Sequence, residues 1–204
     1  PLMFWFLILM VYAAVASVLP VNILLQPRDY LSTYVLFGSM ALAVLALIWV
    51  HPELNTPAFR GGFSEEQGPV WPMLFVLVAC GAVSGFHSLV AGGTTSKQLA
   101  VESQGRPIAY GGMLTEGVVA VVTVLLVSGG LYWVAPGGGV DMNTLGFRET
   151  LKSGGWILAY GHGFGNLVNQ MLPFISFAFA SMIAVLALNT FVLTTLDSAV
   201  RITR

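Results

Sequence analysis

Five stretches of this chain are apolar over about the 20 residues that a helix needs to cross a bilayer, and the third of them breaks partway. The runs cover 2–21, 31–50, 70–90, 113–134 and 173–196. Of the 204 residues, 56% are hydrophobic and only 8% are charged. A soluble domain carries about 25% charged residues, so no water-facing surface can be assembled from this supply. In lipid, a helix bonds all of its backbone within one segment. The expected fold is therefore all-α, a polytopic transmembrane helical bundle with one broken helix, a fragment of a larger transporter-like fold.

The third run starts at Val70 and gives way to Ser84-Gly85-Phe86-His87-Ser88, followed by Gly92-Gly93-Thr94-Thr95-Ser96-Lys97. Lipid cannot hydrogen-bond a loosened backbone, so a helix that frays at membrane depth needs protein or a watery cavity around it. Transporters hold their cargo at such interruptions. Ser84, Gly85, His87, Thr94, Thr95, Ser96 and Lys97 are therefore the candidate substrate-binding residues. Their hydroxyls, loosened amides and single ammonium suit an anionic group such as a carboxylate. The order of residues is not that of a P-loop. The plainer reading is a polar loop that ends one helix, with Thr94 or Thr95 capping the next. His87 titrates near neutral pH, which fits a proton relay or a substrate ligand. It equally fits a neutral imidazole bonded to a neighbouring helix carbonyl.

Glu116 falls about a turn inside the fourth run. A carboxylate in hydrocarbon costs several kcal/mol unless it is paired or protonated. With His87 it forms the candidate ion-coupling pair; the alternative is an interfacial Glu stabilised by the positive end of its helix. Arg28 and Asp29 follow Pro27 at the end of the first run and read as a gate or as a topology anchor. Asp197 and Arg201 lie four apart on one helix face, where they can form an ion pair. The hydroxyls and amides before them serve helix packing or ion coordination.

The segment 135–171 is expected to be a loop with a re-entrant or interfacial piece, since Trp156 to Met171 is glycine-rich and only weakly amphipathic. Gly161-His162-Gly163-Phe164-Gly165-Asn166 has glycines spaced like a dinucleotide loop but lacks the βαβ setting. No metal-ligand spacing, cofactor motif or catalytic residue stands out. A net charge of −1 leaves no basic patch for nucleic acid. The single cysteine, Cys80, sits in an apolar run and reads as packing. The chain begins with Pro1 and ends just past an apolar run, so it is expected to be an internal piece whose site is completed by the remaining spans of a full-length protein.

Several strings together resemble the carbon starvation protein A (CstA) family. They are Ala16 to Pro20, Leu24 to Leu31, Ala79 to Ser88, Gly93 to Lys97, Arg106 to Glu116 and Thr194 to Arg201, in family order across nearly the whole chain. Gly92 and Ser96 stand where the family has a serine and, often, a proline. The resemblance implies a multi-pass protein of the prokaryotic inner (plasma) membrane that imports a small-molecule substrate, a peptide or pyruvate, during carbon starvation. The expected function is secondary active transport coupled to H+ or Na+, with the lipid bilayer as setting. A membrane-embedded peptide hydrolase using His87 with Ser84 or Ser88, and a non-transporting sensor or scaffold, are the alternatives.

Overall fold

A computed structural model describes residues 2–19, 21–54, 56, 62–64, 68–82, 85–132 and 146–202. Eight α-helices are seen among these residues: α1 (Leu2–Val18), α2 (Val21–Val50), α3 (Val70–Ala82), α4 (Gly85–Val90), α5 (Ser96–Gln98), α6 (Gly105–Gly130), α7 (Phe147–Met171) and α8 (Phe177–Ile202). The strands β1 (Phe63–Ser64) and β2 (Gly68–Pro69) form a two-residue antiparallel ladder before α3. Three helical segments are long and apolar enough to cross a membrane: Pro27–Val50, Glu102–Gly130 and Phe177–Val200. α1 is a shorter apolar helix.

The chain divides into two compact units. The first comprises Pro1–Ser17, Pro57–Tyr110 and Leu196–Arg204; the second comprises Val18–Thr56 and Gly111–Thr195. The second holds the core, in which Ala43 and Ala46 of α2, Val122 and Leu126 of α6, Phe164, Leu167 and Val168 of α7, and Ala180 and Ala184 of α8 are all buried. Outward-facing positions are as apolar as the interior: Leu45 and Ile48 of α2, Val121 and Val124 of α6, and Met182 and Leu186 of α8 are exposed. Lipid is as apolar as leucine, so helices in it are joined by close packing and polar contacts rather than by burial from water.

Small residues make that packing possible, and α7 is its hub. The segment 156–171, expected as a surface or re-entrant piece, is helical and runs through the interior of the second unit. Gly155, at φ 70°, kinks α7 just before it, in a conformation that glycine adopts readily. Gly161 and Gly165, one turn apart, face α8. A Cβ on Gly161 would lie 2.6 Å from Val185 Cγ2, and one on Gly165 would strike the Ser181 hydroxyl and lie 3.1 Å from Phe177 O. Gly163 points elsewhere, onto the α6 backbone, with Leu126 O 2.6 Å from where its Cβ would be. Asn166 completes the crossing: its Nδ2 donates to Gly130 O at 2.8 Å, supplying a partner to a carbonyl at the end of α6. At the other end of the turn, Asn169 Nδ2 donates to Ile175 O at 2.7 Å, tying α7 to the start of α8.

α2 and α6 run parallel. Leu36, Phe37 and Met40 face Thr115, Val118 and Val119, while Pro52, just past α2, lies against Gly129 near the end of α6.

Gly163 and Gly38 test this reading as a pair. Gly163→Val forces a side chain into the α6 backbone, and overpacking of this kind costs about 1–3 kcal/mol or more. Gly38 meets nothing within 4 Å, so Gly38→Ala gains up to about 1 kcal/mol of helix propensity. Thermal melting of the full-length protein is expected to fall for Gly163→Val and to hold or rise for Gly38→Ala.

Candidate functional site

The broken helix keeps its hydrogen bonds by changing its winding. α3 stops at Ala82, α4 starts at Gly85, and the chain then passes through a π-helical turn over Ala91–Thr95 into α5. Single π-turns inside α-helices occur often at functional sites. Here Ser96 donates twice: its backbone N–H reaches Ala91 O, five residues back, and its Oγ reaches Gly92 O at 2.8 Å. The hydroxyl therefore takes over the carbonyl that the wider turn releases. The Ser96 proton is spent on the helix, and only the oxygen lone pairs remain for a ligand.

Gly92 and Gly93 have open space where a side chain would be, and Thr95, Ser96 and Lys97 are exposed. At Leu99 the backbone turns extended, which ends α5. The result is a short wall of backbone, one free threonine hydroxyl and one ammonium within two residues of each other. Gly85 opens α4. Ser84 lies outside the described residues, as do the side chains of His87, Thr94, Asp197 and Arg201.

Glu116 lies about three turns past the start of α6 at Gly105, beyond the first turn over which a helix end stabilises an acidic group. It is the central residue of the candidate span Glu102–Gly130, fourteen residues from either end. Any hydrocarbon window of about 20 residues within that span leaves Glu116 at least five residues, roughly 7 Å, from the edge. Its side chain is exposed, and within its own unit no described residue pairs with it. An apolar groove of about 210 Å³ between α2 and α6 lies next to it, lined by Leu36, Phe37, Met40, Thr115, Val118 and Val119. The Thr115 hydroxyl in that groove is already given to Gly111 O at 2.8 Å.

Arg28 and Asp29 follow Pro27 inside α2 and pair through Nη2 and Oδ1 at 3.4 Å, with Asp29 about half exposed. Asp29 O also accepts from Ser32 Oγ and Thr33 Oγ1, at 3.1 and 2.7 Å, which braces the helix beyond the proline. Arg28, Asp29 and Glu116 belong to the second unit, and the break from Gly85 to Lys97 belongs to the first. Among the described residues no three His, Cys, Asp or Glu side chains are grouped to hold a metal ion.

Asn166 was not singled out by sequence reasoning. Its signal was present in the Gly161-x-Gly163-x-Gly165-Asn166 spacing, which marks a close helix crossing followed by an amide able to bond across it.

The family model for carbon starvation protein CstA matches residues 2–144. The chain is 47% identical over 123 residues to the peptide transporter CstA of Mycobacterium tuberculosis, covering 58% of this chain and 16% of that one. It is 43% identical over 147 residues to the peptide transporter CstA of Escherichia coli K12, covering 64% and 21%. It is 42% identical over 130 residues to the pyruvate/proton symporter BtsT of Escherichia coli K12, covering 60% and 18%. The chain thus spans about a sixth to a fifth of the length of these curated relatives. No solved structure matches it. With three membrane-length apolar helices among the described residues and a family model matched over most of its length, the chain belongs to the carbon starvation protein CstA family.

Proposed function

We propose that the full-length protein is a secondary active transporter that imports small carboxylate-bearing nutrients, peptides or pyruvate, through the prokaryotic inner membrane, coupled to H+ or Na+. Relatives are named for both cargoes, and one is named a proton symporter. Peptides and pyruvate share a carboxylate, which is the group that Lys97 and the hydroxyls of Thr94 and Thr95 are chemically suited to attract. In this reading the break from Ser84 to Lys97, with Gly85, His87 and Ser96, lines the cargo path. The cargo leaves chemically unchanged, so none of these residues acts as a nucleophile. Arg28 with Asp29, and Asp197 with Arg201, serve as gating or bracing ion pairs.

The observation that carries the proposal is Glu116 at the centre of a 29-residue apolar span. A carboxylate is retained at that depth, against its cost in hydrocarbon, where it pairs, takes up a proton or binds a cation. With His87 it forms the coupling pair. Full-length Glu116→Gln in proteoliposomes is expected to lose gradient-driven accumulation by about tenfold or more while still exchanging labelled substrate downhill, because general proton-transfer groups contribute at least that much. Accumulation at the wild-type rate under both proton and sodium gradients would remove Glu116 from the coupling role.

Lys97 is tested separately. A hydrogen bond to a charged group is worth about 1.5–3 kcal/mol, so Lys97→Met should raise the half-saturating substrate concentration by about tenfold or more. Initial-rate uptake over a range of pyruvate or dipeptide concentrations measures this. An unchanged value would place the substrate carboxylate elsewhere.

A further inference from the structure

α6 presents three different faces. Val122 and Leu126 are buried in the second unit. Leu114 and Val121, both large and apolar, are exposed on another side. Between these lies a third face at helical spacing, Gly112, Glu116, Ala120 and Thr123, in which each residue is four or three positions from the next. Gly112, Glu116 and Ala120 are exposed, and a Cβ on Gly112 would meet nothing within 4 Å.

This face differs from the one bearing Leu114 and Val121 in size and in charge. A helix interior disfavours glycine by about 1 kcal/mol relative to alanine. In this bundle the glycines of α7 recover that cost through close contact, since Gly161, Gly163 and Gly165 each have backbone or side-chain atoms of another helix against them. Gly112 has no such neighbour here, although it sits one turn from a mid-span carboxylate that cannot face lipid unpaired. The curated relatives are about three to four times as long as this chain, so most of their length lies outside it.

We propose that the Gly112–Glu116–Ala120 face of α6 is covered, in the full-length protein, by a transmembrane helix from outside residues 1–204. That helix packs backbone-close over Gly112 and Ala120 and brings a hydrogen-bond donor, an Arg, Lys, His or amide side chain, to the Glu116 carboxylate. Small residues on one helix admit a second backbone, and a donor compensates the charge in the same contact. The inference holds whether or not Glu116 carries the coupling ion.

Two measurements on the full-length protein decide it. The first is thermal melting of Glu116→Leu. If a donor is paired to the carboxylate, the substitution strands that donor and the melting temperature falls, and it falls further than for Glu116→Gln, which keeps an acceptor for the donor. A carboxylate facing lipid or water would give a rise or no change with Glu116→Leu, and either result overturns the proposal. The second uses single cysteines in a background with the native cysteines replaced. Ala120→Cys is expected to react at least ~10-fold more slowly than Val121→Cys with a lipid-soluble maleimide, and to resist a membrane-impermeant one until the protein is denatured. Rapid labelling of Ala120→Cys by the impermeant reagent would show an aqueous path, labelling as fast as Val121→Cys by the lipid-soluble reagent would show lipid, and an oxidised Ala120→Cys dimer would show a second copy. Each of these would contradict the proposal. If Ala120→Cys does not fold, Gly112→Cys gives the same readout.

Discussion

A carbonyl or carboxylate inside hydrocarbon has no water to turn to, and the bundle is organised by how each such group is satisfied. The clearest case is the crossing of α7 with α6 and α8. Three glycines let α7 approach until backbone meets backbone, and Asn166 then reaches across to the Gly130 carbonyl at the end of α6. The close approach and the amide bond depend on each other. A bulkier residue at Gly163 would move Asn166 out of reach, and without the amide a helix end would be left short of a partner. The same logic recurs at the π-turn, where Ser96 takes up the carbonyl released by the wider winding.

Glu116 stands apart from these arrangements. At the α7 crossing Asn166 and Asn169 find backbone carbonyls within the second unit, whereas Glu116 has no described partner there and occupies the middle of a long apolar helix. A carboxylate left without a partner in its own unit needs a partner or a use outside it. Transport coupled to a cation provides a use, and the small-residue face around Glu116 provides the place where the rest of the protein would meet it.

Much of the architecture was legible in the sequence, because hydropathy records which helices face lipid. The apolar runs around Leu31 to Val50 and Pro173 to Leu196 coincide with exposed apolar helices for that reason. α7 was harder to read. Its glycines, asparagines and histidine lower its hydropathy, and a helix enclosed by other helices needs small and bonding side chains rather than greasy ones. Hydropathy therefore marks such a helix as marginal. The start of α6 was also out of reach: the apolar run begins near residue 113, yet proline is tolerated in the first turn, and the helix begins at Gly105. That shift moves Glu116 from near an end to the centre of its helix. The interruption after α4 could be seen in Gly92-Gly93, but the use of the Ser96 hydroxyl within the turn depends on a π winding that spacing alone does not reveal.

The central claim is that this family member moves a carboxylate-bearing solute through the membrane against its gradient. Uptake of labelled pyruvate and of a labelled dipeptide by the purified full-length protein in proteoliposomes, under imposed proton and sodium gradients, tests it most directly, with chemical analysis of the label recovered inside. The account predicts that at least one of the two accumulates above its external concentration, chemically intact, and that accumulation collapses when the driving gradient is dissipated. No accumulation of either solute under any gradient, or recovery of the dipeptide only as free amino acids, would contradict it.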